Sequence, residues 1–221
     1  MTLKAILFDA GDILYHRPRR GEALAAFLKE RGLVPIAPGR PERADLKRRA
    51  HAGEISKDEH HDAVLELSGV TDPAERIDGR RVMDDDQSDV EFFDGVPETL
   101  HRLKAAGLRL GVVTNTFDST AAKLGWFARV GIEKLWDSFA NSCEVKVNKP
   151  DARIYLAALE PLNLAPQDAA FVGHAAAELA GAKALGMTTI AFNRDDETVE
   201  ADHIISRFSE LPEVLERQGS S

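Results

Sequence analysis

The chain has a single cysteine, Cys143, so no intrachain disulfide can form; this suits a reducing compartment and gives a cytoplasmic expectation. No apolar run approaches the roughly 20 residues of a membrane span. The apolar stretch Ala5 to Phe8 that follows Lys4 is too short for the apolar core of a secretory leader. Positive charge is scarce: 28 Lys and Arg stand against 37 Asp and Glu, a formal net charge of −9. That argues against an extended nucleic-acid surface but leaves room for a local basic pocket. Repeats and low-complexity tracts are lacking too. No membrane or nucleic-acid partner is expected, and the chain is expected to act as a monomer or homodimer.

What is present is ordinary for a globular protein: 43% hydrophobic and 29% charged over 221 residues, enough for one large domain or a core with an insert. The chain is organised around Ala5-Ile6-Leu7-Phe8-Asp9-Ala10-Gly11-Asp12-Ile13-Leu14. A short unbroken apolar run bounded by a glycine turn reads as a strand buried on both faces. Asp9 then sits at the carboxyl end of that strand, the edge at which open α/β sheets bind ligands. A carboxylate there is either a nucleophile for covalent catalysis or a simple turn residue.

After Leu14 the pattern turns helical. Glu22 to Arg31 reads as a helix ended by Gly32, and Val34 to Pro41, with three prolines, as a connection. Glu42 to about Gly69 is helical and charged, and Asp72 to Asp89 is polar. No strand-like alternation appears between residues 15 and 92, so this block is expected to be a helical cap. The expected division is a core of 1–14 and 93–221 around a cap of 15–92.

From Glu98 onward helix and strand alternate. Strands are expected at Leu108–Val113, Ser138–Ser142, Ala169–Val172, Thr188–Phe192 and His203–Ile205. Helices are expected at Glu98–Ala106, Asp118–Val130, after Lys149-Pro150-Asp151 with Pro150 in the first helical position, at Glu178–Leu185 and at Leu211–Arg217, followed by a loose tail from Gln218. The fold class is therefore α/β, a doubly wound parallel sheet with a small α-helical cap. Asp9, Thr114, Lys149 and the Gly173–Glu178 loop all fall just past a strand or at a helix start, on one edge of that sheet.

These motifs resemble the haloacid dehalogenase-like (HAD) superfamily, and the resemblance covers nearly the whole chain. It matches Asp9 to the family's aspartate nucleophile, Thr114 in Gly111-Val112-Val113-Thr114-Asn115 to the hydroxyl of a second strand, and Lys149 in Lys149-Pro150-Asp151 to a lysine before a helix. It implies a Rossmann-like core, a small anionic substrate and, in most relatives, Mg²⁺-dependent phosphoryl transfer through an aspartyl-phosphate. Asp9, Thr114 and Lys149 are then the catalytic residues; Asn115, Gly11 and His174 face the substrate. A metal would draw on Asp9, the Gly11 carbonyl and Glu178.

The chemistry suits those residue types. A carboxylate needs no deprotonation to attack. An ammonium offsets the charge of nucleophile and substrate, and a hydroxyl with loop N–H groups holds anionic oxygens. Two positions depart from the phosphatase pattern. Gly11 stands where an aspartate serves as acid and base, and Asp12, one residue along, is not a substitute. His174 stands where an aspartate binds metal, and Mg²⁺ prefers oxygen. His174 is thus expected either to be protonated in place of a cation or to bond a loop carbonyl. Glu178 either supplies a carboxylate or is a first-turn acid favoured by the helix dipole.

Three functions remain open: phosphate-ester hydrolysis, anion binding without turnover, and metal-free C–X hydrolysis. Against the last, dehalogenase-type relatives have an aromatic residue where Gly11 stands and an asparagine in the fourth motif, and this chain has neither. Phosphonate-cleaving relatives use a cap lysine as a Schiff base, for which Lys47 and Lys57 are in place by location. His51, His60, His61, Arg80 and Arg81 are candidate anion contacts from the cap.

Overall fold

The computed structural model describes residues 3–219. In chain order the elements are β1 (Ala5–Phe8), β2 (Tyr15–His16), α1 (Glu22–Lys29), α2 (Pro41–His51), α3 (Lys57–Leu67), α4 (Pro73–Ser88), β3 (Glu91–Phe92) and α5 (Val96–Ala105). There follow β4 (Arg109–Thr114), α6 (Thr120–Ala128), β5 (Ser138–Asn141), α7 (Ser142–Val145), α8 (Ala152–Leu159), β6 (Ala169–Gly173), α9 (Ala176–Ala184), β7 (Thr188–Ala191), β8 (His203–Ile204) and α10 (Leu211–Gly219).

Six strands form one sheet in the order β5-β4-β1-β6-β7-β8, and every pairing in it is parallel. β1 is central, with Phe8 opposite Val112 on one side and Val172 on the other. Its alternate side chains feed two cores. Ile6 and Phe8 join Val112, Phe127 and Phe208; Ala5 and Leu7 join Val113, Tyr155 and Phe171. Burial on both faces explains why the strand reads as an uninterrupted apolar run. The expected doubly wound, Rossmann-like sheet is the one observed.

The cap helices α1, α3 and α4 enclose a core of their own, built on Leu24, Phe27, Leu28, Val64, Leu65 and Met83. The polar stretch from Asp72 carries the 16-residue α4. Asp72 caps it by accepting from the Ala74 N–H at 2.7 Å, and Pro73 opens it. Two-residue strands β2 and β3, absent from the expected pattern, pair antiparallel where the chain enters and leaves the cap, with Tyr15 opposite Phe92. Strands so short carry no alternation to read.

Pro150 does not open α8. Asp151 caps that helix, its carboxylate accepting from the Arg153 N–H at 2.9 Å, and the Lys149–Pro150 peptide is cis. α6 starts at Thr120, capped by Ser119, while α9 starts two residues before the expected Glu178. The chain remains helical to Gly219, and Ser220 and Ser221, the end of the expected loose tail, lie outside the described residues.

One glycine fixes the Lys149 loop. A Cβ on Gly181 of α9 would lie 2.7 Å from the Pro150 carbonyl oxygen, so only glycine lets the loop pack this closely. Gly181→Ala is expected to lower stability by about 1–3 kcal/mol through overpacking. Gly11→Ala, whose Cβ meets nothing within 4 Å, should leave the unfolding midpoint unchanged. Urea unfolding of the two variants beside the parent tests this.

Candidate active site

Asp9 leaves β1 at the carboxyl edge of the sheet. Its N–H donates to the Val172 carbonyl at 3.0 Å, fixing the exit of β1 to β6, and its side chain is turned inward, the residue being 5% exposed. The Ala10 N–H donates to Asp9 Oδ1 at 2.7 Å. Lys149 Nζ meets the same oxygen at 2.7 Å and Glu178 Oε2 at 2.8 Å. Asn115 holds the lysine in place: Oδ1 accepts from the Lys149 N–H at 2.8 Å, and Nδ2 donates to the Lys149 carbonyl at 3.3 Å. The Tyr155 hydroxyl donates to the Glu178 carbonyl at 2.7 Å, tying α8 to the first turn of α9.

His174 leaves β6 beside Asp9. Its Nε2 lies 3.5 Å from Asp9 Oδ2, and its Nδ1 lies 2.6 Å from Asp195 Oδ1. The Asp195 N–H also donates to the His174 carbonyl at 3.2 Å, so backbone and side chain fix the pair together. Next to Asp195, Asn193 Nδ2 donates to the Asp12 carbonyl at 2.9 Å, joining this loop to the one after Asp9.

Burial alone would raise the Asp9 carboxyl and lower the other two groups. The charges win. Lys149 and His174 hold Asp9 well below the usual carboxylate range. Asp9 and Glu178 keep Lys149 above its ordinary value. Hydrogen bonds and charge from Asp9 and Asp195 push His174 up to about 9. Glu178 goes the other way, raised by burial and by Asp9 despite Lys149. Asp9 and Asp195 thus favour the imidazolium form of His174.

Asp9, Lys149, His174 and Glu178 thus meet at one point. Thr114 ends the adjacent strand β4 and is buried, while Gly11 lies in the loop after Asp9 with open space beside its Cα. Asn115 directs its polar atoms to the Lys149 main chain. Asp195 was not foreseen. The signal for it was an acidic residue just past the strand ending at Phe192, on the same edge of the sheet.

From the cap, Lys57 Nζ pairs with Asp84 at 2.6 Å and with the buried Asp118 of the core at 2.9 Å. These partners raise its pKa although burial opposes them, and an amine kept protonated is no Schiff-base nucleophile. His60 and His61 are buried against Phe117, and burial lowers both. Arg80 and Arg81 pair with Asp62 and Asp78. These four are engaged within the protein. Arg17, Arg20, Arg43 and Lys47 make no salt bridge among the described residues, while Arg17 donates to the Gln87 side-chain oxygen and Arg43 to the Ile36 carbonyl. Burial and then the neighbouring arginines lower Lys47, so these cations stand close together. Lys47 and Lys149 both act on His51, which burial lowers to about 3.

A family model described as haloacid dehalogenase-like hydrolase matches residues 3–186. The chain belongs to that hydrolase family. It is 29% identical over 161 residues to (S)-2-haloacid dehalogenase 1 of a Pseudomonas species, covering 71% of this chain and 69% of the relative. It is 27% identical over 203 residues to glyceraldehyde 3-phosphate phosphatase of Methanopyrus kandleri, covering 87% of this chain and 84% of the relative. With the glyceraldehyde 3-phosphate phosphatase of Methanothermobacter thermautotrophicus, 32% identical, the match spans 58% of the relative. Among solved structures, 2-haloacid dehalogenase from Pseudomonas syringae superposes with a TM-score of 0.73 at 24% identity, covering 98% of this chain and 100% of that one. Relatives of both chemistries are thus present.

Phosphatases of this family commonly use Mg²⁺. Asp9, His174 and Glu178 do offer ligand atoms within 4.8 Å of one another. The set nevertheless does not fit that ion. One donor is an imidazole whose two nitrogens face Asp195 and Asp9, and Lys149 already bridges the two carboxylates. Mg²⁺ requires a near-octahedral oxygen shell.

The histidine couples site and stability. A pKa raised from 6.5 to about 9 means that the folded state holds more protons in that interval. Its contribution is complete below the ordinary histidine pKa and is lost as pH rises through about 9. The urea midpoint of the parent should fall across this window more steeply than that of His174→Gln. Parallel curves would refute the raised pKa.

Proposed function

We propose that this chain is a metal-independent hydrolase that attacks a small anionic substrate with Asp9 and passes through a covalent aspartyl intermediate. The observation that carries this reading is the pair of cations on one buried carboxylate: Lys149 at 2.7 Å and His174 at 3.5 Å from its two oxygens. Both keep Asp9 ionised, as a nucleophile must be. Lys149 and the Ala10 N–H also meet at Asp9 Oδ1, where negative charge develops if the carboxyl carbon is later attacked. Thr114 and the loop N–H groups are the substrate's anion contacts. The unit of residues 15–92 acts as the cap that sets specificity, and the cations Arg17, Arg20, Arg43 and Lys47 give it an anionic preference.

Phosphate-ester hydrolysis is the second reading. It is favoured by the relatives named as glyceraldehyde 3-phosphate and phosphoglycolate phosphatases. It lacks a proton donor at Gly11 and an oxygen ligand at His174. Halide release from 2-haloacids and phosphate release from phosphoglycolate and glyceraldehyde 3-phosphate separate the two.

Asp9→Asn is expected to abolish turnover of whichever substrate responds, and EDTA is expected to leave it unchanged. Activity surviving Asp9→Asn, or vanishing in EDTA and returning with Mg²⁺, overturns the proposal. A second test builds the missing pattern. Gly11 has room for a side chain, so Gly11→Asp with His174→Asp should bind Mg²⁺ and gain phosphatase activity. Phosphate release from the double variant, with and without Mg²⁺, checks this; no gain in a folded protein would place the block elsewhere.

A further inference from the structure

We infer that Lys123 and Tyr15 form a second anion-binding subsite where the cap joins the core, and that the substrate carries a further acidic group, a carboxylate or a phosphate, seated there. The subsite stands on its own geometry; only its assignment to the substrate rests on the reading of Asp9 as nucleophile.

Lys123 lies in the first turn of α6, the helix that follows β4, and is 3% exposed. Its ammonium donates to the Tyr15 hydroxyl at 2.7 Å and stands 4.7 Å from the centre of the Trp126 ring. It makes no salt bridge among the described residues, unlike Lys57, Lys104, Lys149 and Lys183. An ammonium has three donors, and one is spent on the phenol. The phenol oxygen accepts that bond, and its own proton has no acceptor among the described residues. Burying a charge is costly unless it is paired, so an ammonium kept here without a counter-ion fits a ligand that supplies one. Tyr15 is held where it is: the rings of Phe92, Trp126 and Phe127 surround it at centroid distances of 5.9, 5.8 and 6.4 Å. Two donors, one of them charged, are thus fixed before any acceptor arrives.

The neighbouring charges leave that role open. Burial and then Arg20 lower the Arg17 guanidinium, opposed by Tyr15, Asp118 and Asp86, so these groups share one neighbourhood. Both acids are engaged: Asp118 meets Lys57 at 2.9 Å, and Asp86 accepts from the Gly21 N–H at 2.8 Å. Arg17 itself donates to Gln87, an amide and not an acid, and adds a second cation beside the subsite.

Position separates this subsite from the one at Asp9 and also links the two. Tyr15 and Trp126 belong to the core on the Ile6 and Phe8 face of the sheet. Lys149 Nζ stands 5.6 Å from the ring of Phe171, which belongs to the core on the other face. The two ammonium groups therefore straddle the carboxyl edge of the sheet. Above that edge is His51 of α2, on which Lys47, His60, Lys123 and Lys149 all act after burial. One tight turn carries Asp9 and Tyr15 together: the Tyr15 N–H donates to the Ala10 carbonyl at 3.4 Å, and its carbonyl accepts from the Asp12 N–H at 2.7 Å. A molecule reacting at Asp9 and crossing the edge beneath α2 brings its far end to Lys123. In a chain of net charge −9, such a local excess of positive charge selects anions.

The probe is inorganic phosphate, titrated calorimetrically into the full chain. The parent should bind it saturably. Lys123→Met should weaken binding about tenfold or more, and Tyr15→Phe, which keeps the ring, by about three- to tenfold. The urea midpoint of Lys123→Met should be equal to the parent's or higher, because an unpaired buried ammonium gives way to an apolar chain of similar volume. Absence of saturable binding by the parent overturns the subsite. So does binding unchanged in both variants, or binding lost in Lys149→Met and kept in Lys123→Met. If Lys123→Met does not fold, Tyr15→Phe decides alone. The substrate is assigned by turnover of phosphoglycolate beside glyceraldehyde 3-phosphate, and of 2-bromosuccinate beside 2-bromopropionate. Lys123→Met should raise KM about tenfold for the member with the second acidic group, keep kcat within about twofold, and spare the other member. An equal change for both members of a pair overturns the assignment to the substrate. Turnover that survives Asp9→Asn removes the nucleophile reading instead, and leaves the phosphate titration to decide the subsite.

Discussion

A buried ion pair between Lys149 and Asp9 governs the rest of this structure. Both groups are almost fully withdrawn from water, and removing two charges from solvent costs several kcal/mol per ion by the usual reckoning. The pair persists because its surroundings hold it in one geometry. The parallel sheet ends β1 beside β6, so Asp9 emerges with its N–H on the Val172 carbonyl. Asn115, at the end of the neighbouring strand, clamps the main chain of Lys149 from both sides. Gly181 lets the Lys149 loop settle against α9, whose first turn supplies Glu178 as the second carboxylate. Each of these residues acts through the lysine. They are what turns three distant stretches of chain into one site.

The sheet was legible because its strands are short apolar runs separated by helices of ordinary period. Asp9, Thr114 and Lys149 were legible because each punctuates the end of an element, where an aspartate, threonine or lysine breaks an apolar pattern. What stayed hidden was of a different kind. β2 and β3 have two residues each and owe their existence to the chain crossing itself at the cap. α4 is rich in charge and shows its helical nature mainly through the Asp72 cap and Pro73. Pro150 looked like a helix start, yet Asp151 wins that position because its carboxylate can accept an N–H and proline offers nothing comparable. Asp195 showed locally only as an acidic residue past a strand, because its meaning lies in His174, which leaves the preceding strand β6 and is adjacent in space.

The cap reaches the core by polar contacts and by the packing of His51, His60 and His61 on Phe117. Lys57 on α3 spans Asp84 of α4 and Asp118 of the core loop after β4, Arg129 donates to the Ser88 carbonyl, and Lys146 donates to the Gly53 carbonyl. The apolar interior of the cap is separate from the two cores flanking the sheet. Polar junctions of this type exchange readily with water, whereas fused apolar cores do not. Helices α1, α3 and α4 therefore carry a packing unit of their own.

Gly11 and His174 look like two separate losses when each is compared with a phosphatase pattern. In space they are one consistent change. Three carboxylates, the buried Asp9 and the more accessible Glu178 and Asp195, face two cations, Lys149 and His174, so much of the charge at the nucleophile is offset by side chains. With that balance, a divalent ion would meet an ammonium and an imidazolium already on its would-be ligands, and the gain from coordination would be opposed by their repulsion. An aspartate at Gly11 would add a further negative charge beside Asp9, Glu178 and Asp195.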